Sequence, residues 1–178
     1  MKNVQTHNYE IKLAGPEHIE QISDLYLRNW REAYAGLLSQ DYLDAMNMND
    51  IRKKWSDYIA EPEHGVFMVM EDGAKPGDPA KLAGFVGYKP YHRIENCIYV
   101  YSLHVEPSHR GKGIGSALVN AIAELGRKEG YPRMGVCVVC GNENARRLYA
   151  QLGAEHCMYI DDGFAGDPVK SEVMVWEL

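Results

Sequence analysis

No run of the chain approaches the ~18 consecutive apolar residues that a membrane-crossing helix needs, so no membrane span is expected in these 178 residues. The opening decapeptide, Met1 to Glu10, lacks the apolar centre of a secretory signal, and cytoplasmic residence is the expectation. Cysteine is scarce, at Cys97, Cys137, Cys140 and Cys157 only. Without a secretion signal these read as reduced thiols. Cys137-Val138-Val139-Cys140 spells C-x-x-C, but no second pair completes a zinc site. The run Met134 to Cys140 reads as a buried strand, on which residues three apart face opposite ways. Small core residues, and no metal, are therefore expected. Glycine (17) and proline (8) are too few for a low-complexity chain. Positive charge is also short, 19 Lys and Arg against 25 Asp and Glu, a net −6. That balance argues against a broad nucleic-acid face and leaves anion binding to a local site.

What is present is ordinary for a globular domain: 46% apolar and 25% charged residues in 20.1 kDa. One domain over residues 1–178 is expected, with its core at about 9–176. Tyr9 to Ala14 alternates as a strand. After Gly15-Pro16 a helical period begins. Ser39 to Met46, with Ser39 as N-cap, and Asn49 to Ile59 read as further helical pieces, with Trp55 and Tyr58 in the core. Val66–Glu71, Leu82–Tyr88 and Ile94–Val105 read as strands, the first two separated by a Gly/Pro-rich turn at Asp72–Ala80. Ile114, Ala117, Leu118, Ala121, Ile122 and Leu125 make the clearest amphipathic stripe, ended by Gly130 and Pro132. A strand at Met134–Cys140, a helix at Asn142–Leu152, and strands at Ala154–Ile160 and Glu172–Trp176 complete the order. The expectation is an α/β fold with a mixed sheet flanked by helices.

Between the long strand and the amphipathic helix lies Leu103-His104-Val105-Glu106-Pro107-Ser108-His109-Arg110-Gly111-Lys112-Gly113-Ile114-Gly115-Ser116. The first N–H groups of a helix lack intrahelical partners, and the helix dipole adds positive charge there. Alternate glycines let a ligand approach those amides, which suits phosphate or pyrophosphate. A Walker loop is absent, and the third glycine of a dinucleotide fingerprint is replaced by Ser116. What fits is R-x-x-G-x-G, at Arg110 to Gly115, following L-x-V-x-P. The string resembles the acetyl-CoA-binding motif of the GNAT superfamily of N-acyltransferases. Asn142-Glu143-Asn144-Ala145-Arg146-Arg147-Leu148-Tyr149 resembles that family's N-x-N-A-x-x-x-Y segment, and the element order is similar from about Tyr9 to Trp176.

The resemblance implies a splayed sheet of about seven strands, with the pantetheine arm in the gap like an added strand. It implies acetyl-CoA as cosubstrate, held by Leu103, His104, Val105, Arg110, Gly111, Lys112, Gly113, Ile114, Gly115, Ser116, Asn142 and Asn144. Backbone groups of Leu103 and Val105 would pair with the pantetheine and polarise the thioester carbonyl. Tyr149 would protonate the leaving thiolate. Asn142 is seven residues earlier, on the same helical face, and is also a natural N-cap. Many members carry a carboxylate on the long strand; here its position is Tyr99, a departure that leaves the base open. Glu95 shares that parity, and a water chain is the alternative. By strict alternation Tyr99, Tyr101 and Leu103 share a face and His104 points away. Tyr99 and Tyr101 either line the acceptor pocket or pack under a helix. Trp30, Glu32 and Tyr34 resemble the family's pocket segment and could hold a cationic amine.

The expected function is transfer of acetyl from acetyl-CoA to the primary amine of a small-molecule or amino-acid-like acceptor, by direct attack in a ternary complex. A protein or peptide N-terminal or lysine acetyltransferase and a non-catalytic CoA-binding regulatory module are the alternatives. A homodimer through exposed strand edges or the Asp161–Pro168 loop stays open.

Overall fold

The structure is a computed structural model that describes residues 9–71, 82–164 and 167–178; the expected turn at Asp72–Ala80 lies outside the described residues. Seven strands form one sheet in the order β1-β2-β3-β4-β5-β7-β6. They are β1 (Ile11–Leu13), β2 (Gly65–Met70), β3 (Leu82–Pro90), β4 (Cys97–Val105), β5 (Arg133–Val139), β6 (Glu155–Phe164) and β7 (Asp167–Glu177). The helices are α1 (Ile19–Ala33), α2 (Gln40–Ala45), α3 (Met48–Ala60), α4 (Ile114–Glu129) and α5 (Glu143–Gln151). Adjacent strands are antiparallel except β4 and β5, which α4 joins as a parallel pair, because a parallel neighbour requires a crossover.

Each helix follows from local chemistry. The Ser39 side chain accepts from Tyr42 N–H and starts α2, and Asn47 does the same for α3 through Asp50 N–H. The α4 stripe goes to the core, with Ile114, Leu118 and Ile122 at 1% exposure or less. At roughly 1.5–3 kcal/mol for each buried aliphatic side chain, that face dominates the helix's stability. α4 ends where Gly130 takes φ +83° and its N–H turns back to Arg127 and Gly126 carbonyls. The core lies on both sheet faces. α1 and α3 pack Ile22, Leu25 and Trp55 against Val66, Met68 and Phe85 on one side. α4 and Tyr149 of α5 pack with Val86, Val100, Val136 and Trp176 on the other.

Three features depart from the sequence reading. Glu95 lies in the turn before β4, which starts at Cys97, so it is not a strand residue. The final hairpin runs far past the expected strand ends: Asp161 pairs with Lys170, Asp162 with Val169 and Gly163 with Pro168. Most of the expected Asp161–Pro168 loop is therefore ladder, with Pro168 on a strand that opens the second leg. Cys140 and Cys157 are exposed and Cys137 half-buried, and only Cys97 is a core thiol. β5 stops at Val139, which puts Cys140 in the following turn.

Candidate functional site

The site begins as a failure of strand pairing. β4 and β5 pair only over Cys97–Val100 and Arg133–Val136. Beyond that point each strand continues, β4 to Val105 and β5 to Val139, without a further rung between them. The sheet therefore opens as a V. At the opening β4 also carries a bulge. Phe85 pairs with His104 and Gly87 with Tyr101, so β4 uses three steps where β3 uses two. Ser102 takes φ +52° there. An extra residue reverses which face the following side chains occupy.

That reversal corrects the strand assignment. Val100, Leu103 and Val105 pack on the α4 side. His104 lies on the α1 side with Tyr101, its ring 5.2 Å from Tyr26 and 5.1 Å from Phe85. The expectation that His104 points away from Tyr101, and that Leu103 shares its face, assumed unbroken alternation. His104 is buried, and burial, then Lys54 and Arg110, push its pKa down to about 3. It is a neutral imidazole at any ordinary pH.

A cleft of about 820 Å³ runs from the V to the start of α4. Gly113 is the N-cap of α4 with φ +85°, and Gly111 has φ +75°. Both are backbone conformations that favour glycine. A Cβ at either would meet open space, so the requirement is conformational. Gly115 differs, since a Cβ there would sit 3.4 Å from Leu148 of α5. No side chain caps α4, and its first intrahelical bond is Ala117 N–H to the Gly113 carbonyl. The N–H groups of Ile114, Gly115 and Ser116 are thus left for a ligand at the positive end of a 16-residue helix. This arrangement fits the diphosphate of an acyl-CoA, which amides of Gly111 to Ser116 would hold.

The two cations of the turn are not both turned to that cleft. Arg110 donates to both Glu32 oxygens at 2.7 Å, to Asn29 Oδ1 at 3.2 Å and, from Nε, to the Val105 carbonyl at 3.4 Å. Asn29 Nδ2 reaches the same carbonyl at 3.0 Å. Arg110 thus ties the turn to the end of α1, and Val105's carbonyl is engaged within the chain. Glu32, expected beside the acceptor, lies on the cleft side with Arg110. Lys112 does not line the cleft; its carbonyl accepts from Tyr9 Oη at 2.7 Å. Asn144 and His109 do line it.

A second, smaller cavity of about 320 Å³ opens on the other side of the V. Its walls include Tyr26, Trp30, Tyr34, Tyr42, Tyr99 and Tyr101, with Lys54 and Asp162 as its charged residues other than the neutral His104. The two cavities share Tyr34, Leu103, His104, Asn142, Ala145 and Tyr149. Asn142 caps α5 by accepting from Ala145 N–H at 3.3 Å, and its amide hydrogen-bonds the Tyr34 hydroxyl. Tyr149 is 5% exposed with its ring edge-on to Trp176 at 5.8 Å. Among the described residues no group hydrogen-bonds its hydroxyl. Burial, then Tyr34, raise its pKa, so it is a protonated phenol at neutral pH.

Lys54 and Asp162 escaped the sequence reading. Lys54 sits within a helix whose amphipathic pattern gives a lysine every reason to be exposed. Asp162 fell in the supposed loop.

The chain matches the Acetyltransferase (GNAT) family over residues 19–154. It belongs to that family. The thialysine N-epsilon-acetyltransferase of Bos taurus is 32% identical over 93 residues, 49% of this chain and 54% of the relative. The chain thus spans about half the length of the first curated relatives it matches. An L-methionine sulfoximine/L-methionine sulfone acetyltransferase of Pseudomonas aeruginosa is 28% identical over 58% of each chain. Among solved structures, the PaiA N-acetyltransferase of Thermoplasma acidophilum in complex with coenzyme A superposes with a TM-score of 0.72. It has 19% identity and covers 95% of this chain and 98% of that one. A GCN5-related N-acetyltransferase of Rhodopseudomonas palustris gives 0.75 at 15% identity, over 96% of each. The α/β fold with its splayed seven-stranded sheet is thus the GNAT fold.

Proposed function

We propose that this GNAT chain is an acetyl-CoA-dependent N-acetyltransferase whose acceptor is the primary amine of a small, amino-acid-like molecule, attacking directly in a ternary complex. One observation carries the reading: a diphosphate-suited cleft and an aromatic cavity meet at Tyr149, whose hydroxyl has no hydrogen-bond partner among the described residues. Acetyl-CoA supplies an acyl thioester. The amides from Gly111 to Ser116 hold its diphosphate, and Leu103, Val105, Asn142 and Asn144 border its path. Tyr149, protonated and desolvated, stands where a leaving thiolate needs a proton. The aromatic walls exclude water and orient the amine. Tyr99 occupies the place of a strand carboxylate, and His104 is too weak a base to replace it. We assign the ammonium's proton to solvent rather than to Asp162 of the cavity wall, so the rate should rise with pH through the acceptor's own pKa.

The names of the thialysine and methionine sulfoximine enzymes support an amino-acid-like acceptor. The modest, walled cavity suits such a molecule better than a protein surface. The test is free-thiol release from acetyl-CoA with single amines and peptides. Acceptor-dependent release by amino acids supports the reading, release with peptides alone favours a protein acetyltransferase, and tight acetyl-CoA binding without release across the panel favours a CoA-binding module.

A further inference from the structure

The aromatic cavity has a charged end that acetyl transfer itself does not use. Lys54 enters from α3 and donates to the Tyr26 hydroxyl at 2.6 Å. Its Nζ lies 4.2 Å from the Tyr26 ring centroid and 5.3 Å from that of Tyr101. Lys89 of β3 lies over Tyr101 as well, at 4.9 Å. Among the described residues neither lysine has a carboxylate partner. That is unexpected in a chain with more carboxylates than cations. Among the described residues the one carboxylate lining the cavity, Asp162, belongs to β6 beside Cys137. An ammonium drawn into an aromatic enclosure loses hydration, and rings and a phenol repay that loss only in part. Burial, then Lys89, lower the Lys54 pKa to about 8, so the group is still mainly charged at neutral pH. A desolvated cation lacking a counterion, facing an open cavity, is the complement of an anion brought by a ligand.

We propose that Lys54 anchors a carboxylate of the acceptor, so that the enzyme selects amines bearing a free acid over simple amines and over lysines within proteins. The inference rests on the acetyl-transfer reading and deepens it. With the acid on Lys54, the amine extends along the aromatic walls toward Tyr149, which lines the same cavity. The lysine acts through charge and hydrogen bonds to the ligand, and Lys89 adds positive potential behind Tyr101.

The experiment uses L-lysine, L-methionine and L-phenylalanine, each as the free acid and as its carboxamide, with wild type, Lys54→Gln and Lys54→Arg. Charge-assisted hydrogen bonds of this kind correspond to roughly a 10–100-fold effect. Wild type should prefer the acid by at least about tenfold in kcat/KM. Lys54→Gln should remove that preference by raising KM for acids alone, and Lys54→Arg should keep most of it. The KM for acetyl-CoA should not move. Equal use of acid and amide by wild type overturns the proposal, as does an equal fall in kcat for both in Lys54→Gln. If no amine is acetylated, binding of the N-acetyl forms of the three amino acids to the CoA-saturated protein separates the two ideas. Lys54-dependent binding of the acids then supports the anchor while acetyl transfer to these amines fails, and absence of binding overturns the anchor.

Discussion

Replacing Tyr149 by Phe removes one oxygen and keeps the ring. The ring is buried against Trp176. Its hydroxyl has no hydrogen-bond partner among the described residues, so no internal bond is lost. Stability should stay within about 0.5 kcal/mol of wild type, as for substitutions that break no buried contact. In a chain of this length that is a melting shift below about 2 °C. Acetyl-CoA affinity should be nearly intact, since the proposed diphosphate cradle, Gly111 to Ser116, is separate from Tyr149. Turnover is another matter. Loss of a positioned general acid costs typically 10²–10⁴ in rate, or about 3–5 kcal/mol at 1.36 kcal/mol per tenfold. Thiol release reads this directly, with a protein-only blank because Cys140 and Cys157 are exposed and will react with a thiol reagent. Unchanged kcat in a variant that folds and binds acetyl-CoA would refute the role given to Tyr149.

Other perturbations separate the parts of the account. Gly113→Ala forces φ +85° on a residue with a Cβ. This costs about 1–2 kcal/mol of stability, seen as a lower melting temperature, and should weaken acetyl-CoA by at least about tenfold as the helix N-terminus shifts; full affinity in calorimetry contradicts the cradle. Glu32→Gln should change stability by less than about 1 kcal/mol, because both partners are near half exposed, at 45% for Arg110 and 53% for Glu32. It should leave acceptor KM unaltered, and a tenfold rise would return Glu32 to the acceptor pocket. Glu172 tests the hairpin. Burial raises its pKa, but Arg146 at 2.7 Å and His156 at 3.0 Å outweigh this and lower it overall. A depressed carboxylate stabilises above its unfolded pKa, near 4.5, and the gain disappears as pH falls through the folded value. The melting difference between wild type and Glu172→Gln should therefore be full above its unfolded pKa, near 4.5, and shrink as pH falls below it; a constant difference contradicts the pairing.

Much of this was legible in the residues. The glycine spacing places the turn and α4 because Gly111 and Gly113 each take a local positive φ, and the α4 stripe is periodic enough to read unaided. Asn142 is legible as a cap for the same reason. What stayed hidden depends on contacts between distant segments. Strict alternation put His104 on the wrong face because one residue with positive φ, Ser102, resets the parity of β4. Nothing local marks that bulge. Arg110 lines the cleft as its place in the motif suggests, but its partners were hidden, because Glu32 and Asn29 come from 78 and 81 residues away to hold it. Gly163 and Pro168 signalled a loop, but the β6–β7 ladder carries them. Lys54 is visible only once Tyr26 and Tyr101, from two other elements, have closed around it.

Acetyl transfer is tested by free-thiol release from acetyl-CoA by the purified chain, titrated with single amino acids and run beside Tyr149→Phe. Release should saturate with the amino acid and fall at least about a hundredfold in the variant. Acetyl-CoA binding with no amine-dependent release, or equal release by both proteins, would contradict this mechanism.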